Sequence, residues 1–182
     1  LFAMYMTVVA WLYAIGKILA LIQDQAFRQA VIESAFARGV SNISEPFYIV
    51  CGYGDTGGML VRALTQRGMR AVVVDVDADR INGLELEDLP IHIPGLCANA
   101  SKVITLKECG LLNPHCAGVV ALTDDDQVNL KIAITAKLLH PGIKVICRAE
   151  THDAEANMAS FGTDWIINPY DLFASHLALC LH

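Results

Sequence analysis

Residues 47–58 read FYIVCGYGDTGG, and this stretch decides the fold of the 182-residue chain. Its first five residues are apolar and predict a short buried strand. The glycines that follow form G-x-G-x-x-G at a strand-to-helix turn. The first glycine allows a tight turn, the second lets the backbone approach a pyrophosphate, and the third lets the helix pack closely on the sheet. The amides at the helix N-terminus would then face the phosphates.

A second apolar run, AVVVD at 71–75, ends in Asp75, eighteen residues beyond Gly57. A carboxylate at this place accepts hydrogen bonds from the ribose hydroxyls of an adenosine and repels a 2′-phosphate. The pattern therefore favours NAD or an adenine nucleotide over NADP. Asp55 lies within the glycine loop, where its charge repels phosphates unless it points away or binds a cation.

Short apolar runs alternate with helical patterns through the rest of the chain, which predicts an α/β fold with a Rossmann-like, doubly wound, six-stranded parallel sheet. The predicted strands are 47–51, 71–75, 91–93, 117–122, 144–148 and 164–167. The predicted helices are 56–67, 79–87, 102–109, 126–139, 153–161 and 171–182.

The first 22 residues contain a single charged residue, Lys17. A helix of this length is about 33 Å long, enough to cross a hydrocarbon core of about 30 Å, and predicts a transmembrane helix at 1–22. Arg28 and Arg38 follow it and place the downstream chain in the cytoplasm. An amphipathic linker helix is predicted over 23–40, with a polar connector to residue 46. Its apolar positions are Ala26, Phe27, Ala30, Val31, Ala35 and Phe36.

The composition excludes several kinds of protein. With 54% hydrophobic and 18% charged residues the chain is too apolar for a disordered protein, and a net charge of −6 argues against nucleic-acid binding. The six cysteines form no C-x-x-C and the six histidines no H-x-x-x-H, so no metal site is assigned. The acidic run Asp124-Asp125-Asp126 precedes a helix and predicts capping for at least two of the three, with a divalent cation as the alternative.

Further motifs accompany the glycine loop, in the same order along the chain as in one known family. They are VVVDVD from 72, ANAS at 98–101, LKECGL at 106–111, ALTDDD at 121–126 with Asn129, VICR at 145–148, and FGTD at 161–164 running to Pro169. Over residues 47–180 the chain resembles the RCK (regulator of potassium conductance) or TrkA-N domain. The upstream helix resembles the pore-lining inner helix of potassium channels.

This resemblance implies a domain at 47–169 that binds a regulatory ligand, NAD(H) or an adenine nucleotide such as ATP or ADP. A crossover helix at 170–182 would dimerise it. Homo-oligomers would form a gating ring beneath a tetrameric pore that conducts potassium ions, on the cytoplasmic side of the cell membrane. Ligand binding would bias pore opening through the linker at 23–46.

The expected ligand-binding residues come from five loops. The glycine loop contributes Gly52, Tyr53, Gly54, Asp55, Thr56 and Gly57, which would cradle phosphates. The end of the second strand contributes Asp75, Val76 and Asp77 around the ribose. Asn99, Ala100, Thr123 and Asp124 would border the base and the distal end of the nucleotide. Arg148 ends a strand where it could reach a phosphate, a partner subunit or a surface carboxylate.

Two other functions stay open from the sequence. A cation/proton antiporter or a potassium uptake system can contain the same regulatory domain. An NAD-dependent oxidoreductase is disfavoured, because the dinucleotide fold uses up residues 47–182, and within that stretch no Tyr-x-x-x-Lys and no paired His and Asp suggest proton transfer. We therefore expect a regulator rather than an enzyme, with no catalytic residues.

Overall fold

A computed structural model describes residues 2–23 and 25–180, and the side chains of residues 4–18 and 32–180. The chain divides into two compact units, Leu1–Ala35 and Phe36–His182. The helices are α1 (Phe2–Gln23), α2 (Gln25–Ser41), α3 (Asp55–Gln66), α4 (Ala78–Leu86), α5 (Val103–Glu108), α6 (Asp126–Leu139), α7 (His152–Ser160) and α8 (Pro169–Cys180). The strands are β1 (Phe47–Cys51), β2 (Arg70–Asp75), β3 (Gly95–Cys97), β4 (Cys116–Ala121), β5 (Lys144–Arg148) and β6 (Trp165–Ile167).

The predicted helix at 1–22 is found as α1, and its described side chains are largely exposed, with Met4 74% and Trp11 69% accessible. Among the described residues no helix combines the length and the apolar character needed to cross a bilayer, so the predicted membrane span is not confirmed. The side chains of residues 19–22, which end the predicted span, lie outside the described part.

The linker helix is found as α2. Of its predicted apolar positions, Ala35 is exposed and Phe36 packs against the core of the second unit. The others fall outside the described side chains: Ala26, Phe27, Ala30 and Val31.

The second unit is built on one parallel sheet with the strand order β3-β2-β1-β4-β5-β6. Side chains alternate across it: Ile49 of β1 belongs to one buried cluster with α5, α6 and α7, whereas Val50 belongs to a second cluster with α3 and α4. Strands buried on both faces explain the continuous apolar runs in the sequence. The predicted doubly wound, six-stranded sheet is therefore confirmed.

The third strand is the one that the sequence misplaced, since IHI at 91–93 is not a strand and β3 is Gly95–Cys97. Ile93 is buried, but it lies between Pro90 and Pro94, and proline lacks the amide that a ladder requires. The ladder begins at the Pro94 carbonyl, which accepts from the Val73 amide at 2.9 Å. Gly95 lets α4 approach, because a Cβ there would lie 3.0 Å from Leu84.

A polar latch, formed by the side chains of Asp164 and Lys137, joins α6 to the segments around β5 and β6 at the edge of this sheet. One carboxylate oxygen of Asp164 accepts from the Val145 amide and from the Lys137 ammonium, both at 2.7 Å. Lys137 also donates to the Ile143 carbonyl at 2.7 Å. Burial acts to raise the pKa of Asp164, but the hydrogen bond from Lys137 and that from the Val145 amide outweigh it and leave the pKa below the ordinary value of 3.8.

We expect Asp164→Asn to remove a pH-dependent part of the stability. A carboxyl whose pKa is lowered by folding stabilises the fold above its unfolded pKa and ceases to do so as the pH falls through its folded pKa. The urea midpoints of wild type and variant should therefore differ at pH 6 and converge below about pH 4. Asp88→Asn, at an exposed carboxylate outside this latch, is the control. A difference that stayed constant down to pH 2 would contradict the assignment.

Candidate functional site

The glycine loop is forced by two close backbone approaches. Gly52 has φ of +100°, and a Cβ there would lie 3.0 Å from the backbone of Leu122 and Thr123, which follow β4. A Cβ on Gly57 would lie 2.1 Å from the carbonyl oxygen of Gly52. Any side chain at either position would displace backbone, so the turn itself requires both glycines.

Gly54 is different, because nothing in the packing of the chain demands a glycine there. Its φ of −80° suits any residue, and a Cβ would meet only the Arg80 guanidinium, at 3.7 Å. Gly54 is the N-cap of α3 and offers no capping side chain, so the first amides of α3 lack an intrahelical partner. These amides and the helix dipole make an anion-binding end beside an open space.

Asp75 ties this loop to the sheet. Its buried carboxylate accepts from the Tyr53 amide at 2.5 Å and from the Asp77 amide at 2.8 Å. Arg80 lies 3.6 Å from Asp75 and 3.4 Å from Asp77, in the first turn of α4. Sequence reasoning missed Arg80, although its spacing three residues after Asp77 was the available signal. Contact of Asp75 with a ribose stays a prediction.

Asn129 fixes the opposite wall. It is fully buried in α6, and its Oδ1 accepts from the amide and the hydroxyl of Thr123, at 3.0 and 2.7 Å. Its Nδ2 donates to the carbonyls of Thr123 and Arg148, at 2.9 and 3.0 Å. With both amide hydrogens and the oxygen in use, one side chain sets the positions of the loops after β4 and β5.

Arg148 brings an unpaired donor to this wall. Its Nη2 donates to Glu150, whereas its Nε is buried without a hydrogen-bond partner. A buried N–H without an acceptor costs about 1–3 kcal/mol, so the structure holds this guanidinium in place at an energetic cost. Of the three partners that the sequence left open for Arg148, the structure shows the carboxylate, Glu150.

The acidic run resolves into separate roles. Asp125 caps α6 by accepting from the Gln127 and Val128 amides, at 2.8 and 3.2 Å. Asp126 accepts from the amides of Glu150 and Thr151 and from the Thr151 hydroxyl. Capping of α6 is therefore confirmed for Asp125 alone, short of the two residues predicted, because the Asp126 carboxylate is engaged by Glu150 and Thr151 instead. In the described residues, no metal-type group of side chains includes this run.

These loops meet in one cleft of about 510 Å³ at the carboxyl ends of the strands. It lies where the strand order reverses between β1 and β4, the usual ligand site of such sheets. The predicted residues line it except three: Gly57, Asp77 and Tyr53. Gly57 and Asp77 act through the backbone contacts above, and Tyr53 lines an adjoining hollow with Arg62 and Glu87 that shares Gly54, Asp55 and Arg80 with the cleft. Burial and the neighbouring Glu87 raise the pKa of Tyr53.

The cleft also has lining residues that the sequence analysis did not expect to bind the nucleotide. They are Val74, Arg80, Ala98, Leu122, Asp125 and Val128. Four of the six are apolar, three at strand ends and Val128 in α6, and apolar side chains suit the faces of a planar base. Carboxylates and guanidiniums both line the cleft, and each guanidinium also lies near a carboxylate: Arg80 near Asp75, Arg148 near Glu150.

We expect Gly57→Ala to destabilise the protein by about 2 kcal/mol or more, because the new methyl group overlaps the Gly52 carbonyl. The neighbouring Gly58→Ala is the matched control. A Cβ there meets only the Arg62 guanidinium at 3.8 Å, and alanine favours the helix by up to about 1 kcal/mol. Urea unfolding followed by circular dichroism measures both, and equal effects would show that the close approach is wrong.

Comparison with known proteins gives the family. Residues 48–169 match the model of the TrkA-N domain. Probable potassium channel protein 2 of Methanocaldococcus jannaschii is 22% identical over 159 residues, which cover 87% of this chain and 45% of that protein. Glutathione-regulated potassium-efflux system protein KefC of Enterobacter sp. (strain 638) is 27% identical over 120 residues, 66% of this chain and 18% of that protein.

Among solved structures, GsuK bound to ADP superposes with a TM-score of 0.63 at 17% identity, over 81% of this chain and 37% of that one. This likeness shows the fold. The chain spans less than half the length of curated relatives that it matches over most of its own length. The family model covers two thirds of the chain, including the whole cleft and every strand of the sheet except the first residue of β1, Phe47. The chain therefore belongs to the TrkA-N domain family, and the resemblance to RCK and TrkA-N domains is confirmed.

Proposed function

We propose that this chain is the cytoplasmic nucleotide-binding regulatory part of a potassium channel. The observation that carries the proposal is the cleft, where the uncapped amides at the start of α3 and the guanidinium-bearing residue Arg148 border the same open space. These are the donors that phosphates require. The potassium channel relative supports the channel as the context.

The ligand would be NAD(H) or an adenine nucleotide. GsuK has been solved bound to NAD and bound to ADP. In this chain the loop at 52–57 would hold the phosphates and Asp75 the ribose, with Val76 and Asp77 beside it. Asn99 and Ala100 would border the base, and Thr123 and Asp124 the distal end.

The linker would carry the signal, because the end of α2 is anchored in the domain. Val40 is buried, and its carbonyl accepts from the Asn113 side chain at 3.4 Å. A Cβ on Gly110 would lie 2.6 Å from Val40, so the contact leaves no spare room. A displacement of the domain therefore reaches α2 directly.

Assembly would use α8, none of whose described residues is buried although its composition is apolar. The exposed apolar side chains are Tyr170, Leu172, Phe173, Leu177 and Leu179. A second copy of the chain, packed through the same helix, would bury them and make the domain dimer of the proposed gating ring.

A regulatory domain of an antiporter or potassium uptake system is the alternative function. The specific observation in its favour is the match to KefC, a potassium-efflux protein. Both functions use the same cleft, so nucleotide binding by itself does not separate them.

We expect Gly54→Ala to weaken NAD or ADP binding by about tenfold or more, because its methyl group would occupy the space beside the α3 amides. The stability should change by less than about 1 kcal/mol, since the poorer N-cap is offset by lower chain entropy in the unfolded state. Calorimetric titration and urea unfolding measure the two effects. Gly58→Ala, outside the cleft, should bind normally. Normal binding by Gly54→Ala would contradict the phosphate assignment.

The gating step is tested on the complete protein in planar bilayers. Saturating nucleotide should change the open probability by a factor that corresponds to a coupling of about 1–3 kcal/mol. Gly54→Ala should need a higher nucleotide concentration, and Gly58→Ala should behave as wild type. An unchanged open probability would contradict the channel proposal, and nucleotide-dependent electroneutral exchange of potassium for protons in liposomes would establish the antiporter instead.

A further inference from the structure

His152, Glu155 and Asp171 bring three metal-type side chains together away from the nucleotide cleft. One donor atom from each lies within 4.8 Å of the others. His152 and Glu155 are in the first turn of α7 and Asp171 is in the first turn of α8. They line a hollow of about 720 Å³ beside β6 that shares no residue with the nucleotide cleft.

The distances fit a small tetrahedral ion. Bonds of about 2.0–2.2 Å to nitrogen and oxygen set neighbouring donors of a tetrahedral zinc site about 3.3–3.5 Å apart. His152 Nδ1 and Glu155 Oε2 are 3.3 Å apart. The Asp171 oxygen, within 4.8 Å, would need to move inward by at most about 1.5 Å, which a side-chain rotation supplies.

Asn168 positions both carboxylate-bearing segments. Its Nδ2 donates to Glu155 Oε1 at 2.9 Å, which leaves Oε2 turned toward His152. Its Oδ1 accepts from the Tyr170 and Asp171 amides, at 3.0 and 3.4 Å, and so fixes the start of α8. Hydrogen bonds that orient metal ligands from behind are a regular feature of metal sites.

An ion pair between His152 and Glu155 does not explain why the carboxylate of Asp171 also lies beside them. A single imidazolium balances one carboxylate, whereas here two carboxylates from different helices lie near one largely exposed histidine. A divalent cation would balance both carboxylates and use the imidazole as a neutral ligand. An imidazole ligand selects a first-row transition ion over Mg²⁺ or Ca²⁺, which prefer oxygen alone.

We propose that His152, Glu155 and Asp171 form a binding site for a divalent transition-metal ion such as Zn²⁺, with water as the fourth ligand. The ion would join the first turns of α7 and α8. Because α8 has no buried residue in the described chain, this link would fix the direction in which α8 leaves the domain. The sequence analysis missed the site because it searched for H-x-x-x-H, whereas the spacing here is H-x-x-E with a third ligand sixteen residues further on.

The test is a titration of the tag-free, chelator-treated chain with Zn²⁺, in a Cys180→Ser background that removes the exposed thiol. We expect one Zn²⁺ per chain in calorimetry. His152→Ala and Asp171→Asn should each weaken binding by about tenfold or more. Asp153→Asn, at an exposed carboxylate on the same helix turn but outside the group, should bind as the parent does.

Substitution with Co²⁺ identifies the ligands. We expect visible absorption from nitrogen and oxygen ligands without a thiolate charge-transfer band, and no displacement by millimolar Mg²⁺. Unchanged Zn²⁺ binding in His152→Ala and Asp171→Asn, an equal loss in Asp153→Asn, or a thiolate band would each overturn the site. NAD and ADP binding by the same variants should be normal, so this proposal and the nucleotide proposal can fail independently.

Discussion

The carboxylate of Asp75 is the interaction on which the site depends. It is buried at the end of β2 and receives the amides of Tyr53 and Asp77, so one side chain holds both the glycine loop after β1 and the turn into α4. The loop can then keep its path over the sheet, in which Gly57 nearly touches the Gly52 carbonyl. The first amides of α3 make no hydrogen bond to Asp75, and the residues at the start of α3 line the cleft.

The opposite wall of the cleft is also held by a buried polar side chain that binds backbone groups, here the neutral amide of Asn129. Asn129 binds the backbone after β4 and after β5, so the two walls are fixed by buried polar side chains rather than by loop stiffness. Buried hydrogen bonds of this kind are costly to break because each partner would be left without water. The open space between Gly54 and Arg148 therefore belongs to a rigid frame.

Most of the sheet could be predicted because buried parallel strands read as continuous apolar runs, and β1 and β5 match their predicted limits. The third strand could not, since Gly95 and Cys97 carry no strand preference and their place is set by contact with α4 and by pairing with β2. In the site, the glycines and Asp75 were readable from spacing. Arg80 had a signal in its spacing after Asp77 but was missed, whereas the His152 group had none, because it depends on how α7 and α8 lie next to each other in space.

The positions of the cleft and of the linker constrain how they communicate. Val40, at the end of α2, belongs to the same core cluster as Phe47, the first residue of β1. The cleft lies at the other end of this strand, because its lining begins at Gly52, which directly follows the last residue of β1. Five fully or largely buried residues of a central strand separate them. A close-packed strand of this kind moves with its sheet rather than bending within it. In the proposed regulator, a nucleotide would therefore act by shifting how whole domains pack in the assembly, and α2 would follow that displacement.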